Sequence, residues 1–312
     1  MKPAFSVILF TVASGAGFGL IMLAILFDLF GLGGGFSRET LLTAGAGAFI
    51  LISVGLLSST AHLANPKNAW RSFTRFKTSW LSKEGVFAVI FYPFFLLYLL
   101  GVYVGGGETP GWALFFGVVA FLLGLVTLFS TGMIYASLKT IRQWSNPLVP
   151  VNYLAMALLT GILLLYALGL DELGGTGGVL GLAAAVILLA AVVKATYYFW
   201  IARPSGPTIN TATGFTRARV RILDPGHGHD TFLTHEFGYQ PPAGLTPVLK
   251  AAVFVLAYGL PLVMLWPAAE APGAGAMWVA AVSALAGAAA ERWLFFAEAR
   301  HVVNLYHGAQ TT

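Results

Sequence analysis

The chain has 312 residues, of which 58% are hydrophobic and only 9% are charged. Soluble domains carry about 25% charged residues, so this composition excludes an ordinary water-soluble enzyme and predicts that most of the chain lies in a lipid bilayer. The formal net charge is +5. We interpret that excess as a bias toward anionic lipid headgroups, and not as a nucleic-acid-binding surface.

Eight apolar runs are long enough to cross the bilayer as helices, since roughly 30 Å of hydrocarbon takes about 20 helical residues. Backbone hydrogen bonds must close internally in lipid, and a β-barrel would instead show short alternating segments. The sequence therefore predicts an all-α integral membrane protein, with residues 1–312 forming a single polytopic domain. The predicted spans are approximately 5–30, 41–62, 85–106, 112–136, 148–170, 177–200, 246–267 and 275–297.

The connections between the spans sort into two sets by charge. One set is Gly-rich and often acidic, and its single basic residue is Arg38. The other set holds the basic residues of both chain ends and of the intervening loops. It comprises the N-terminus, the loop 63–83, the loop with Lys139 and Arg142, the loop 202–245 and the tail 297–312. Because cytoplasmic loops are rich in Lys and Arg, we predict that both termini are cytoplasmic, in the inner membrane of a bacterium.

Small and charged residues inside the spans predict contacts between helices. Gly15/Gly19 and Ala44/Ala48 have the spacing that lets helix backbones approach closely. A charge within a span is costly unless it is paired or hydrated. We therefore expect Glu291 and Arg292 to form a neutralising contact between helices. Lys194 is expected to extend to the headgroups beside Tyr197, Tyr198 and Trp200.

The first cytoplasmic loop, 63–83, fits the head of a quinone. His62 precedes this loop and Glu84 follows it, so that an imidazole and a carboxylate flank one interfacial segment. A quinone site needs hydrogen-bond donors, a group that exchanges protons with water and a flat apolar wall. The candidate quinone-binding residues are His62, Trp70, Arg71, Arg75, Trp80 and Glu84, with Arg292 and His301 as further candidates on the same side. The alternative is that the indoles anchor at the interface and the basic residues only set topology.

The long loop 202–245 is a candidate docking surface. A loop of this length in a compact protein is more often functional than idle, and Arg217, Arg219 and Arg221 suit acidic residues of a soluble partner. A flexible linker is the alternative. The sequence has no cysteine, so any thiolate-held iron–sulfur cluster must belong to such a partner.

Two strings, His62-Leu-Ala-Asn-Pro66 and Ser82-Lys-Glu84, stand on either side of the first cytoplasmic loop. In an eight-span protein they resemble the membrane anchor subunits of dimethyl sulfoxide reductase-type molybdenum enzymes, the DmsC family. The resemblance covers nearly the whole chain. It implies a complex of three subunits: a molybdopterin catalytic subunit, a four-cluster ferredoxin-like subunit, and an anchor that exchanges electrons with ubiquinone or menaquinone without molybdenum chemistry of its own. The residues that match His62 and Glu84 are tied to quinol binding in that family.

The string from Phe232 to Tyr239 and the tail from Arg292 to Tyr306 look most like the anchor of the cytoplasmic sulfite-oxidising enzyme. We therefore expect sulfite oxidation with reduction of quinone. The alternative is the anchor of a dimethyl sulfoxide reductase or a similar enzyme that oxidises quinol.

Three other functions fit the sequence less well. A haem b anchor would need histidines within facing spans, and the six histidines here fall at the edge of the spans or outside them. A transporter would show polar groups near the bilayer midplane, whereas Pro93 and Pro261 stand among apolar residues. The string Gly226-His-Gly-His-Asp230 could chelate a metal, but it reads better as a solvated turn, so no metal site is predicted.

Overall fold

The structure is a computed structural model that describes residues 1–60, 66–203, 206–224, 226, 228–229, 231–242, 244–271 and 274–312. Within these ranges the chain is helical, and eight helices are long and apolar enough to cross a membrane. The predicted all-α, eight-span architecture is thereby confirmed. The chain is a multi-pass membrane protein.

The first six spans are single α-helices. They are α1 (Phe5–Phe30), α2 (Arg38–Thr60), α3 (Trp80–Val104), α4 (Gly111–Ala136), α5 (Leu148–Gly169) and α6 (Thr176–Ile201). A 3₁₀ segment, Pro66–Arg75, precedes α3. Because α3 begins earlier than the predicted residue 85, Trp80 lies in its first turn instead of in the loop before it, and Glu84 lies near its start as expected.

The remaining elements follow the sixth span. The long loop contains two short helices, α7 (Ile209–Thr213) and α8 (Phe232–Phe237). The seventh span consists of α9 (Leu245–Val253), a π-helical turn (Phe254–Gly259) and α10 (Leu260–Glu270). The eighth span is α11 (Ala274–Ala297), and a 3₁₀ segment (Val302–His307) lies in the tail.

Helices α1 and α5 form the centre of the bundle, and both are buried along most of their length. They cross at Gly19 and Gly161. A Cβ atom added to Gly19 would lie 1.8 Å from the carbonyl oxygen of Ala157, so that only glycine fits this crossing. By contrast, a Cβ atom added to Gly15 would meet no atom within 4 Å. The small-residue spacing therefore identified the right helix, but only Gly19 of that pair lies at the closest approach.

The basic loops and both chain ends meet at one end of the bundle, which we call the basic end. The backbone N–H of Lys2 donates to the carbonyl oxygen of Glu236 (2.9 Å), and that of Ile209 donates to Gln310 (3.1 Å). Isolated β-bridges also join Ile141 to His301 and Thr208 to Thr311. The long loop is thus ordered partly by contacts with the tail and the chain start, where the sequence suggested order imposed by another molecule.

The Gly-rich connections meet at the opposite end, which we call the acidic end. The carboxylate of Glu172 accepts hydrogen bonds from the hydroxyl groups of Ser37 (2.8 Å) and Thr40 (2.7 Å) near the start of α2. Asp28 accepts from Tyr98 (2.9 Å) and Thr109 (3.1 Å). The two ends therefore separate the two sets of connections as their charges predicted.

Candidate functional site

Glu84 lies in the second turn of α3, close to the basic end, and its side chain is only 5% exposed. The hydroxyl of Thr131 on α4 donates a hydrogen bond to Glu84 Oε1 (2.5 Å). The same hydroxyl is 3.0 Å from the carbonyl oxygen of Thr127, one turn earlier in α4. A buried carboxylate in a membrane helix is expensive and is commonly a functional group. It is also suited to giving up or taking a proton.

Aromatic rings surround the first turns of α3. The indole of Trp80 contacts the ring of Phe129 edge-on (5.9 Å between centroids), and the ammonium group of Lys83 lies 4.0 Å from the centroid of the Trp80 ring. The 3₁₀ segment is followed by Phe76, which contacts Phe87 of α3 at 5.6 Å. Aromatic side chains thus lie around Trp80 and the end of the 3₁₀ segment, on the helix that carries Glu84.

Three charged side chains form a buried cluster between α6 and α11. Lys194 donates a hydrogen bond to Glu291, and Arg292 Nε lies 2.6 Å from the other oxygen of Glu291. All three side chains are at most 3% exposed. The expectation that Lys194 extends to the headgroups is wrong, because a carboxylate within reach stabilises the buried ammonium. The contact between helices is made by Lys194, whereas Arg292 pairs with its neighbour on the same helix.

Tyrosines connect this cluster with Glu84. The guanidinium carbon of Arg292 lies 3.9 Å from the centroid of the Tyr153 ring on α5, and Tyr153 stacks on Tyr135 of α4 at 5.9 Å. Thr131, which binds Glu84, lies one turn before Tyr135 in α4. Glu84 and Arg292 thus belong to one buried polar layer near the basic end, although they do not touch.

Hydrogen-bonding capacity remains in this layer. Tyr153 Oη and Arg292 Nη1 are both buried, and no well-aligned hydrogen bond is formed by either atom among the described residues. Both side chains line a cavity of about 20 Å³. The cavity is too small for a quinone ring and belongs to the interior of the layer.

Sequence reasoning missed the residues that join the two halves of the layer. Thr131, Tyr135 and Tyr153 were not singled out, and neither was Trp144, whose indole N–H donates to the carbonyl oxygen of Phe295 (2.9 Å). The available signal was positional, since Thr131, Tyr135 and Tyr153 lie within about two turns of the same end of a span, and Trp144 lies in the connection that joins those two spans. Their common depth could have been read from the predicted spans, but their side-by-side placement could not.

The other predicted quinone-site residues lie apart from this layer. Trp70, Arg71 and Arg75 are exposed on the 3₁₀ segment, with the Arg71 guanidinium 5.8 Å from the Trp70 ring. His301 follows the end of α11 and packs on the ring of Phe237 (4.7 Å). His62 lies outside the described residues. Of the candidates, Trp80 and Glu84 thus lie one turn apart on α3, and Arg292 belongs to the same buried layer as Glu84.

The predicted docking residues Arg217, Arg219 and Arg221 are exposed in the long loop. Asn210 holds the start of this segment, because its side-chain amide donates to the carbonyl oxygens of Phe215 (2.5 Å) and Ala218 (2.6 Å). The three arginine side chains are available to a partner. In the string at 226–230, two members, 227 and 230, lie outside the described residues. Within the described part of the sequence, no group of three potential metal ligands is found.

Comparison with known proteins agrees with this architecture. Residues 1–297 match the family model described as DMSO reductase anchor subunit (DmsC). A sulfite dehydrogenase subunit of Allochromatium vinosum is 29% identical over 98% of this chain and 99% of the relative. A subunit of the anaerobic dimethyl sulfoxide reductase of Escherichia coli is 28% identical over 47% of this chain and 51% of the relative. The match over nearly the full length shows that the chain belongs to the family of DMSO reductase anchor subunits.

Proposed function

We propose that this protein is the membrane anchor of a three-subunit molybdopterin oxidoreductase and that it passes electrons between an iron–sulfur subunit and the quinone pool. The observation that carries this proposal is the buried carboxylate of Glu84, placed near one end of a span in a member of the anchor family. The chain has no cysteine, so thiolate-held clusters belong to its partners.

His62 and Glu84 would hold the quinone, with Trp80 as part of the wall of its site. When bound, the quinone supplies redox chemistry in which electron transfer is coupled to proton transfer at its ring oxygens. Thr131 fixes the Glu84 carboxylate by donating to it, which leaves the second carboxylate oxygen for a proton or a ligand. The aromatic side chains around Trp80 would limit the access of water to a quinone ring bound beside them.

Sulfite is the favoured substrate of the complex. The relative named for sulfite dehydrogenase aligns with almost the whole chain, whereas the relative named for dimethyl sulfoxide reductase aligns with less than half of it. The alternative is the anchor of a dimethyl sulfoxide or similar reductase, with electrons flowing from quinol. Membranes that contain the complex should reduce quinone with sulfite; quinol oxidation by dimethyl sulfoxide, without sulfite-dependent activity, would favour the alternative.

The basic end would face the cytoplasm and receive the iron–sulfur subunit. The exposed Arg217, Arg219 and Arg221 offer positive charge to acidic groups of that subunit. Changing all three to Ala should reduce the amount of iron–sulfur subunit that co-sediments with membranes, most strongly at raised salt. Unchanged retention at every salt concentration would contradict this role.

The quinone proposal is tested with His62→Ala and Glu84→Gln in the intact complex. Each change should lower quinone-linked turnover by roughly 10²–10⁴-fold, the range expected for losing a proton-transfer group. Activity with an artificial soluble dye should remain, because the molybdenum site and the clusters lie in other subunits. The matched control is Glu108→Gln at the acidic end. Wild-type quinone turnover in both variants, with the complex still on the membrane, would place the site elsewhere.

A further inference from the structure

A second candidate site lies at the basic end, away from Glu84. It is a groove of about 640 Å³ between the ends of α6 and α11, the start of α9, and segments of the long loop and tail. This volume falls within the roughly 300–1,000 Å³ that is typical of ligand sites. Three arginines, Arg142, Arg203 and Arg300, line it, and we call it the arginine groove.

The charge in the groove is mainly positive. Among the described residues that line it, Glu298 is the one acidic side chain, and Lys250 neutralises Glu298 through an ion pair of 2.6 Å. Even with a terminal carboxylate at Thr312, Arg203 and Arg300 alone leave an excess of positive charge among the described residues of the groove. Arginine is the side chain best suited to phosphate, because its planar fork donates two parallel hydrogen bonds.

The position of the groove identifies the source of the anion. The Arg203 guanidinium lies 4.9 Å from the ring centroid of Phe199, which is 65% exposed in the last turn of the α6 span. On another bordering helix, Val248 is also 65% exposed, one turn inside α9. Exposed apolar side chains at these positions face lipid tails. The groove thus lies at headgroup depth, with lipid-facing side chains on two of the three helices that border it, α6 and α9.

We propose that the arginine groove binds the phosphate of an anionic phospholipid, with the acyl chains descending along Phe199 and Val248. The Arg142 guanidinium is held 4.9 Å from the ring centroid of Trp200, an aromatic residue of the type that collects at headgroup depth. Basic pockets between membrane helices on the cytoplasmic side have this kind of ligand. This proposal does not depend on the quinone site.

The test uses the full purified protein in mild detergent, titrated with phosphatidylglycerol or phosphatidylcholine and analysed by native mass spectrometry. Wild type should bind phosphatidylglycerol preferentially. Changing Arg142, Arg203 and Arg300 together to Gln should weaken that binding by about 100-fold, because each arginine near a headgroup contributes about 1 kcal/mol. The single variants, expected to weaken it by about five-fold each, serve if the triple variant does not fold. The matched control changes Arg217, Arg219 and Arg221 to Gln and should leave the affinity unchanged.

Three outcomes would overturn the proposal. Equal affinity for phosphatidylglycerol and phosphatidylcholine would show that the groove does not distinguish an anionic from a zwitterionic headgroup. Binding of inorganic phosphate with an affinity equal to that of the lipid would assign the groove to a free anion. Site-specific crosslinking from position 300 to a soluble subunit, in place of lipid, would assign it to a protein interface.

Discussion

The three buried charges of Lys194, Glu291 and Arg292 carry a net charge of +1 when all are ionised. The single carboxylate of the cluster therefore stabilises two cations in a low-dielectric environment. Loss of an ion's partner within a protein is strongly destabilising, because it leaves a buried charge uncompensated. The consequences of removing each member of the cluster are therefore unequal.

Glu291→Gln should lower the free energy of unfolding by about 3–5 kcal/mol, because it leaves Lys194 and Arg292 buried with like charges. Lys194→Met should cost much less, since it leaves a neutral Glu291–Arg292 pair. Unfolding of the purified protein in a denaturing detergent measures both changes. A larger loss for Lys194→Met than for Glu291→Gln would contradict this account of the cluster.

The Lys250–Glu298 pair supplies the control for that comparison. Its side chains are 27% and 18% exposed, so water solvates both charges after the pair is broken. Glu298→Gln should accordingly lower the free energy of unfolding by no more than about 1 kcal/mol.

His301 makes the tail sensitive to acid. Its Nδ1 accepts a hydrogen bond from the backbone N–H of Val303 (3.0 Å), and burial lowers the pKa of the imidazole below its usual 6.5. The unfolded chain therefore binds a proton more readily than the folded one. This contribution to stability is complete above about pH 6.5 and is lost as the pH falls toward the folded pKa.

His301→Asn should reduce the loss of stability on acidification, because Asn can accept the same hydrogen bond without titrating. Hydrogen exchange of the tail's backbone amides at pH 5 and pH 8 monitors the stability of the tail, and the change between the two pH values is compared in wild type and variant. His235→Asn removes an imidazole outside this contact and should leave the acid sensitivity of the tail unchanged. Equal acid sensitivity in wild type and His301→Asn would exclude the imidazole as its source.

At the scale of the helices, the closest backbone approach that the spacing of small residues helped to locate is the crossing of α1 and α5. Gly19→Ala should lower the free energy of unfolding by about 1–3 kcal/mol, because the new methyl group would overlap the backbone of Ala157. Gly15→Ala, one turn away on the same helix, should be nearly neutral. Detergent unfolding of both variants tests the crossing; a loss of equal size in both would show that the close approach at Gly19 does not determine the effect, because alanine has the higher helix propensity at either position.

The seventh span shows how a proline is accommodated within a membrane helix. Pro261 follows the π-helical turn Phe254–Gly259, and the hydroxyl of Ser283 on α11 donates to the carbonyl oxygen of Leu256 (2.7 Å) within that turn. Because proline has no backbone N–H, a carbonyl oxygen one turn earlier loses its helical partner. The π-helical turn and the Ser283 hydroxyl help to satisfy the backbone groups of this region. The span is therefore continuous, unlike the broken helices expected of a transporter.

For the whole molecule, the charge asymmetry predicts the orientation in the membrane. Because the sequence has no cysteine, single cysteines can be introduced on a clean background. Glu108→Cys at the acidic end should react with a membrane-impermeant maleimide in intact spheroplasts. Leu223→Cys, at a position that is 94% exposed at the basic end, should react only after the membrane is opened. The reverse pattern would invert the topology.

The number of spans and the separation of the two ends were predictable from the sequence, because both depend on composition averaged over about 20 residues. The pairing of Lys194 with Glu291 was not, since 97 residues separate them and only the packing of α6 and α11 on α5 brings them within reach. Glu84 was identified by its position and by family resemblance. Its partner Thr131 depends on how α4 is rotated about its axis, which an almost uniformly apolar helix does not reveal.

The contacts between the chain start, the long loop and the tail also determine at what stage of synthesis the basic end can reach its final arrangement. Met1 donates to the carbonyl oxygen of Ala299 (3.0 Å), and Ile209 donates to that of Gln310. Residues that leave the ribosome early and residues that leave it late are therefore neighbours. A nascent protein that has inserted seven spans still lacks the segments of backbone that hold its long loop in place. A soluble subunit that recognises the closed arrangement would bind finished anchors and ignore unfinished ones.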